Sequence, residues 1–149
     1  MDGHLSLMPL QSDADLATLL SETKTIALKI ASPKPHRYSN KVLNFLVESG
    51  YDVYPINPGH AGEEIAGRTV YADLSQVPVA IDLVDIFRRS EDVAPIVSKA
   101  IEIGAKAIWM QLGIIDDLAA ARAEVAGLKV VMDRCPAIDL PRLQRLGLM

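Results

Sequence analysis

The chain has 149 residues, half of them hydrophobic and 23% charged, with a formal net charge of −4 at pH 7. This length and composition predict one globular domain with a full hydrophobic core. The pI near 5.3 argues against a general nucleic-acid binder, because such a protein needs a basic face. No apolar run approaches the ~20 residues that span a bilayer, so we expect no membrane partner.

The N-terminus and the cysteine content bear on location. Residues 1–15 read MDGHLSLMPLQSDAD, which lacks the basic and apolar segments of a secretory signal. The single cysteine, Cys135, cannot form an internal disulfide. We therefore expect a cytoplasmic protein, since reducing compartments are where unpaired cysteines are usual.

The first half of the chain alternates helix and strand patterns. Ser12 or Asp13 is the predicted cap of a short helix that ends near residue 21. Ser39 is the predicted cap of a second helix, whose apolar stripe stops at Gly50. Apolar runs predict strands at 25–30, 51–56 and 69–72, with a loop at 57–67 and a helical turn at 74–77.

The second half continues the alternation. Ser90 begins the clearest helix, because apolar residues recur with helical spacing from Val93 to Ile101 and Gly104 ends it. Asp116 opens another helix, which Gly127 closes. Strands are predicted at 81–87, 105–112 and 129–133, and a terminal turn or docked tail at 141–149.

Strands that alternate with helices predict a parallel sheet covered on both faces. Right-handed crossovers favour a three-layer, doubly wound, Rossmann-like α/β fold with five to six parallel strands. We assign this single domain to residues 23–149, preceded by a helical extension at residues 1–22. Ligands bind such folds at the carboxyl ends of the strands. The segments expected there are 31–37, 57–62, 87–90, 111–114 and 134–136.

The segment after the first strand has the composition of an anion site. Residues 25–42 read TIALKIASPKPHRYSNKV, which is a strand, a turn with basic residues, and a helix start. The N–H groups that open a helix have no internal partner and favour a negative charge. Lys34, Arg37 and Arg88 are candidates to hold phosphate, with solvated surface charge as the alternative. The turn contains no glycine, which close approach to a pyrophosphate normally needs.

Five strings carry a resemblance to a known family: ASPKPHRYS, YPINPGHAGEEIAG, VDIFRRSEDV, WMQLGI and VVMDRCP. In this order and spacing, over roughly residues 25–142, they resemble the small CoA-binding proteins related to the nucleotide-binding domain of the succinyl-CoA synthetase alpha subunit. The resemblance implies a Rossmann-type fold that binds coenzyme A, usually with no established catalytic reaction.

The resemblance also implies roles by position. It places phosphate on the first loop, the nucleotide after the second strand, adenine and phosphate after the fourth, and the pantetheine arm after the fifth. The resemblance implies Ser32, Lys34 and Arg37 for the phosphate on the first loop, and Asn57 and Pro58 for the nucleotide. It implies Phe87 and Arg88 for adenine and phosphate, and Gln111 and Gly113 for the pantetheine arm. The thiol end of CoA is expected near Gln111 and Cys135.

The chain departs from the family pattern at Lys29 and Ile30, where relatives tend to have an apolar residue and then glycine. Ile30 is β-branched and stiff, and it extends toward space that glycine leaves to a ligand. Lys29 places an ammonium in an apolar strand, which favours pairing with Asp82 or Asp85 on the neighbouring strand. The alternative function is an interaction or regulatory protein whose CoA pocket Ile30 and Lys29 block.

Other sequence features point to no reaction. Cys135 is either a reactive thiol beside Arg134, able to form a mixed disulfide with CoA, or a small buried hydrophobe. His4, His36 and His60 are scattered without metal-ligand spacing, so we expect no metal site. No catalytic constellation such as Ser–His–Asp stands out, so we expect no enzyme. A nicotinamide-dependent enzyme is opposed by the missing GxGxxG motif. The expected partners are CoA or acyl-CoA and, in a homodimer, a second copy.

Overall fold

Seven strands are present in the computed structural model, which describes residues 9–10 and 12–149. They are β1 (Thr25–Lys29), β2 (Asp52–Ile56), β3 (Glu64–Ile65), β4 (Arg68–Thr69), β5 (Leu83–Ile86), β6 (Ala107–Met110) and β7 (Lys129–Val131). Five of them form a parallel sheet in the order β2-β1-β5-β6-β7. The short strands β3 and β4 pair with each other as an antiparallel hairpin.

Among the residues that the structure describes, five α-helices cover both faces of this sheet: α1 (Asp13–Glu22), α2 (Tyr38–Glu48), α3 (Val93–Glu102), α4 (Asp117–Val125) and α5 (Pro136–Arg145). Successive residues of a strand point to opposite faces, so Trp109 packs with α1, α2 and α5 while Ile108 packs with α3 and α4. The prediction of a three-layer, doubly wound α/β fold is confirmed. No helix within the described residues is long and apolar enough to cross a membrane.

The strand order reverses between β1 and β5. The chain passes from β1 to β2 on one side, and then returns to build β5, β6 and β7 on the other side of β1. Lys29 at the end of β1 is in register with Ile56 and Ile86, which end their own strands. The loops that follow β1, β2 and β5 therefore leave the sheet at one level, around the crevice where ligands bind in this class of fold.

Two predicted helix caps are confirmed and one is wrong. Ser12 Oγ accepts a hydrogen bond from Asp15 N at the start of α1. Asp116 caps α4 in the same way. Ser39 does not cap α2, because the helix begins one residue earlier at Tyr38 and leaves Ser39 buried inside the first turn.

The prediction of a terminal turn or tail at residues 141–149 is wrong, since α5 runs to Arg145. Pro141 lies inside this helix, where a proline usually argues for a break. The helix forms because it buries Leu140 and Leu143 against the core that α1 and α2 share. Pro136 in its first turn suits a helix start.

The predicted helical extension at residues 1–22 is described only in part. Residues 1–8 and 11, which include His4, lie outside the described residues. The described helix α1 contributes Leu16 and Leu20 to the same core as α2 and α5. The division of the chain into an extension and a domain stays a prediction.

Candidate functional site

An open cavity of about 440 Å³ lies at the carboxyl ends of β1, β2 and β5, where the strand order reverses. Its wall is formed by the loop after β1, the first turn of α2, and the residues that follow β2 and β5. The predicted site residues that line it are Ser32, Lys34, Arg37, Asn57, Phe87 and Arg88. The first loop, predicted to hold phosphate, thus meets the ends of two other strands at one site.

The helix α2 begins at this cavity without a side-chain cap from the described residues. Arg37 is its first flanking residue, and Tyr38 and Ser39 of its first turn line the cavity. The initial N–H groups of a helix carry a partial positive charge. Because no side chain accepts from them here, this helix end can receive an anion.

Hydrogen bonds fix the shape of the loop after β1. Lys34 N donates to Ser32 Oγ at 3.2 Å, and Asn40 Nδ2 donates to the Ser32 carbonyl at 2.7 Å. Asn57 Nδ2 donates to the Ala31 carbonyl at 2.7 Å, and Asn57 Oδ1 accepts from Gly59 N at 2.9 Å. The side chains of Ser32 and Asn57 therefore set the loop geometry, and each contributes to the cavity wall from a fixed position.

The cavity is surrounded by basic side chains. Lys34 and Arg37 are exposed, and neither forms an ion pair with the residues that the structure describes. Arg88 lines the cavity while its Nη2 donates to Asp92 Oδ2 at 2.9 Å. The rim at the α2 end is thus the part of the site with unneutralised positive charge, as an anion site requires.

The predicted pairing of Lys29 with Asp82 or Asp85 is wrong. The β1–β5 register sets Leu28 beside Asp85 and Lys29 beside Ile86, so Lys29 and Asp85 point to opposite faces. Asp82 lies near the start of β1, where it accepts from Thr25 N at 3.1 Å. Burial lowers the pKa of Lys29; nearby Asp73 opposes this, and the charge of Arg88 adds to it.

Ile30 lies in the cavity wall and leaves the cavity open. It is partly buried, and its backbone lies outside the left-handed region, which among the described non-glycine residues is adopted only by Ala66 and Asp133. The position therefore accepts a side chain without the conformation that favours glycine.

The other predicted site residues lie elsewhere. Gln111 is buried and its Nε2 donates to Asp85 Oδ1 at 2.7 Å. Gly113 N donates to Asp133 Oδ1 at 2.6 Å, and Pro58 is exposed at the start of a 3-10 turn. None of these three residues lines the cavity.

A buried polar layer lies beneath this edge of the sheet. Asp85 is fully buried, and this burial raises its pKa to about 7, while the hydrogen bond from Gln111 acts in the opposite direction. The second oxygen of Asp85, Oδ2, has no hydrogen-bond partner in the described structure. Its surroundings therefore favour the protonated form of Asp85 at pH values below about 7.

Tyr38 lines the cavity although the sequence does not predict it as a site residue. Its hydroxyl donates to Cys135 Sγ at 3.0 Å, and its ring meets the ring of Phe87 edge-to-face at 6.1 Å between centroids. Cys135 is 1% exposed, and burial raises the pKa of its thiol. This environment favours the buried-hydrophobe interpretation of Cys135 over a reactive thiol. A tyrosine at a helix start carries no sequence signal that would have indicated this contact.

Comparison with known proteins agrees with this geometry. A family model described as a CoA binding domain matches residues 24–141. The chain is 31% identical over 124 residues to the uncharacterized protein YneT of Bacillus subtilis (strain 168), covering 83% of this chain and 90% of that protein. A hypothetical protein from Pyrococcus horikoshii OT3 superposes with a TM-score of 0.86 at 39% identity, covering 92% of this chain and 96% of that one.

A larger protein shares the fold. The dinucleotide-forming acetyl-coenzyme A synthetase 1 of Ca. Korarchaeum cryptofilum, solved in complex with phosphate and ADP, superposes with a TM-score of 0.64 at 26% identity. The match covers 78% of this chain and 27% of the synthetase. The family match spans most of the chain and the relatives are of similar length, so this chain belongs to the CoA-binding domain family.

Proposed function

We propose that this chain binds coenzyme A in the cavity at the ends of β1, β2 and β5, and that it carries out no reaction on the ligand. The observation that carries the proposal is the uncapped start of α2, with Lys34 and Arg37 beside it, at the reversal of strand order. CoA has three phosphate groups, and a helix N-terminus with unneutralised cations suits them. The synthetase that shares this fold was solved with phosphate and ADP. CoA also contains an adenosine diphosphate unit.

The ligand orientation follows from where the charge lies. We expect the 3′-phosphoadenosine end and the pyrophosphate to contact Lys34, Arg37 and Arg88, which are the lysine and arginine residues that line the cavity. The pantetheine arm then extends past the Tyr38–Phe87 ring pair toward Gln111 and Cys135. Gln111 is itself buried, and its Nε2 donates to Asp85 Oδ1.

The side chains near the cavity that could take part in a reaction each contact another residue of the protein. The Cys135 thiol is buried beneath the Tyr38 hydroxyl, and Asp85 is buried and bonded to Gln111. The imidazole of His60 lies 3.1 Å from a Glu63 oxygen. The burial of Cys135 and Asp85 supports a binding role over a catalytic one.

Calorimetric titration of CoA into the wild type and into Ile30→Gly, at one salt concentration, tests the proposal. We expect both proteins to bind CoA, with affinities within about threefold, because Ile30 lines the cavity without filling it. The variant is checked by thermal melting, since an added glycine loosens the unfolded chain. Binding by Ile30→Gly alone would support the alternative, an interaction or regulatory protein with a blocked pocket. Binding by neither protein would contradict a CoA function.

A further inference from the structure

A second hollow lies on the same edge of the sheet, at the carboxyl ends of β6 and β7. It is an open groove of about 890 Å³ between the loop after β6, the loop after β7 and the first turns of α5. Of its lining residues, the proposed CoA site uses Cys135 alone, toward which the pantetheine arm extends. The aliphatic side chains that line it are Leu112, Ile115, Met132 and Ile138.

The groove gathers exposed apolar side chains from separate parts of the chain. Leu112, Ile115 and Ile138 are 50%, 47% and 51% exposed. Single exposed hydrophobic residues are ordinary on a protein surface, whereas several around one hollow indicate something that covers them. These three side chains offer a ligand apolar contacts among the polar groups of the groove.

The two arginines of the groove are already paired with carboxylates. Asp139 Oδ1 lies 3.3 Å from Arg134 Nη1 and 3.1 Å from Arg142 Nη2. Arg142 Nη1 lies 2.9 Å from Asp13 Oδ1. Two further carboxylates, Asp117 and Asp133, line the groove. Because its arginines are neutralised, the groove favours an uncharged group over an anionic one.

The groove and the cavity meet at one contact. Tyr38 lines the cavity, Cys135 lines the groove, and the Tyr38 hydroxyl donates to Cys135 Sγ at 3.0 Å. A CoA molecule with its phosphates at the start of α2 and its arm running past this contact brings its thiol end to the groove. In an acyl-CoA, the acyl group is bonded to this sulfur and extends beyond it.

We propose that the groove at the ends of β6 and β7 holds the uncharged aliphatic acyl group of an acyl-CoA. The inference rests on the proposed CoA site, because the cavity supplies the anchor from which the acyl group extends. It names the ligand class as acyl-CoA with a short to medium aliphatic chain, rather than free CoA or a dicarboxylic acyl-CoA.

The first test compares CoA, acetyl-CoA and hexanoyl-CoA by calorimetric titration into the wild type. Full removal of one methylene from water tightens binding about fourfold. Hexanoyl-CoA has four methylenes more than acetyl-CoA, and we expect an open groove to remove about half of their surface from water. We therefore expect hexanoyl-CoA to bind roughly tenfold more tightly than acetyl-CoA.

The matched variants are Ile138→Ser and Leu118→Ser. Both residues are exposed, at 51% and 86%, so both variants keep the core, and thermal melting checks this. Ile138 lines the groove, whereas Leu118 lies on α4 outside it. We expect Ile138→Ser to reduce the tenfold preference for hexanoyl-CoA to about threefold or less, and Leu118→Ser to retain it.

Each of the following results of the titrations would contradict one part of the proposal. Equal affinities for acetyl-CoA and hexanoyl-CoA, with CoA itself bound, overturn the acyl groove and leave the CoA site standing. An equal weakening of all three ligands by Ile138→Ser shows that the groove holds another part of CoA. Succinyl-CoA binding more tightly than butyryl-CoA, which has the same number of acyl carbons, overturns the preference for an uncharged group. Failure of every ligand to bind overturns both proposals.

Discussion

The two hollows on the carboxyl edge of the sheet both contain arginine, yet they differ in what surrounds it. At the cavity, Arg37 is exposed beside the uncapped start of α2 and pairs with no carboxylate of the described chain. At the groove, Arg134 and Arg142 share the buried carboxylate of Asp139. Positive charge is therefore free to meet a ligand at the cavity and is already neutralised at the groove.

This difference shows that the number of basic residues does not locate an anion site. The deciding feature is the position of the carboxylates, and these come from distant parts of the chain. Asp13 in α1 reaches Arg142 in α5, which no local pattern indicates. An anion is expected to bind where no carboxylate pairs with the basic side chains.

The largest expected effect concerns Asp85, in the buried layer beneath this edge of the sheet. Burial raises its pKa from 3.8 to about 7, so between these pH values the folded state holds a proton that the unfolded state has lost. Stability from this group is complete below about pH 4 and is lost as the pH rises to about 7. We expect Asp85→Asn to raise the free energy of unfolding at pH 8 by on the order of 4 kcal/mol, since each pKa unit corresponds to about 1.4 kcal/mol.

Chemical denaturation of Asp85→Asn at pH 4 to 8 measures this, with Asp117→Asn as the matched control because Asp117 is exposed. The Asp85 variant should show a flatter dependence of stability on pH than the wild type. A loss of stability at pH 8 would show instead that the protein stabilises the charged carboxylate.

A smaller effect is expected from Asp139→Asn, which would make the groove resemble the cavity. The substitution removes a carboxylate that is 4% exposed and leaves Arg134 and Arg142 without it. We expect the free energy of unfolding to fall by about 2 kcal/mol, less than for a fully buried pair because both arginines are about one-third exposed.

The same variant should change the ligand preference. Freed arginines favour a carboxylate, so succinyl-CoA should gain affinity relative to butyryl-CoA in calorimetric titrations. Asp117→Asn is again the control, because it removes a groove carboxylate that pairs with neither arginine. An unchanged preference in Asp139→Asn would show that pairing is not what distinguishes the two hollows.

Much of the fold could be predicted from sequence because its signals are local. Apolar runs and helix-stop glycines located the five sheet strands and four of the helices. The fifth helix was missed because Pro141 argues locally for a break, while the burial of Leu140 and Leu143 that supports α5 is a tertiary effect. The predicted pairing of Lys29 with Asp82 or Asp85 was wrong because such a pairing depends on strand register, which places Lys29 beside Ile86.

The same distinction holds for the site: features that are local in the chain could be predicted, and contacts between distant residues could not. The first loop was identifiable because a strand, a turn with Lys34 and Arg37, and a helix start follow one another in the chain. The burial of Gln111 could not be predicted, because it depends on Asp85 in another strand. The Tyr38–Cys135 contact that joins the two hollows likewise arises only on folding.

The most direct measurement is calorimetric titration of CoA into Arg37→Ala and Arg134→Ala, side by side and at one salt concentration. A hydrogen bond to a charged group is worth about 1.5–3 kcal/mol, so Arg37→Ala should weaken CoA binding by at least about tenfold. Arg134→Ala should weaken it by less than about twofold, because that guanidinium is engaged by Asp139. Equal losses, or a larger loss for Arg134→Ala, would contradict the assignment of the CoA phosphates to the cavity at the start of α2.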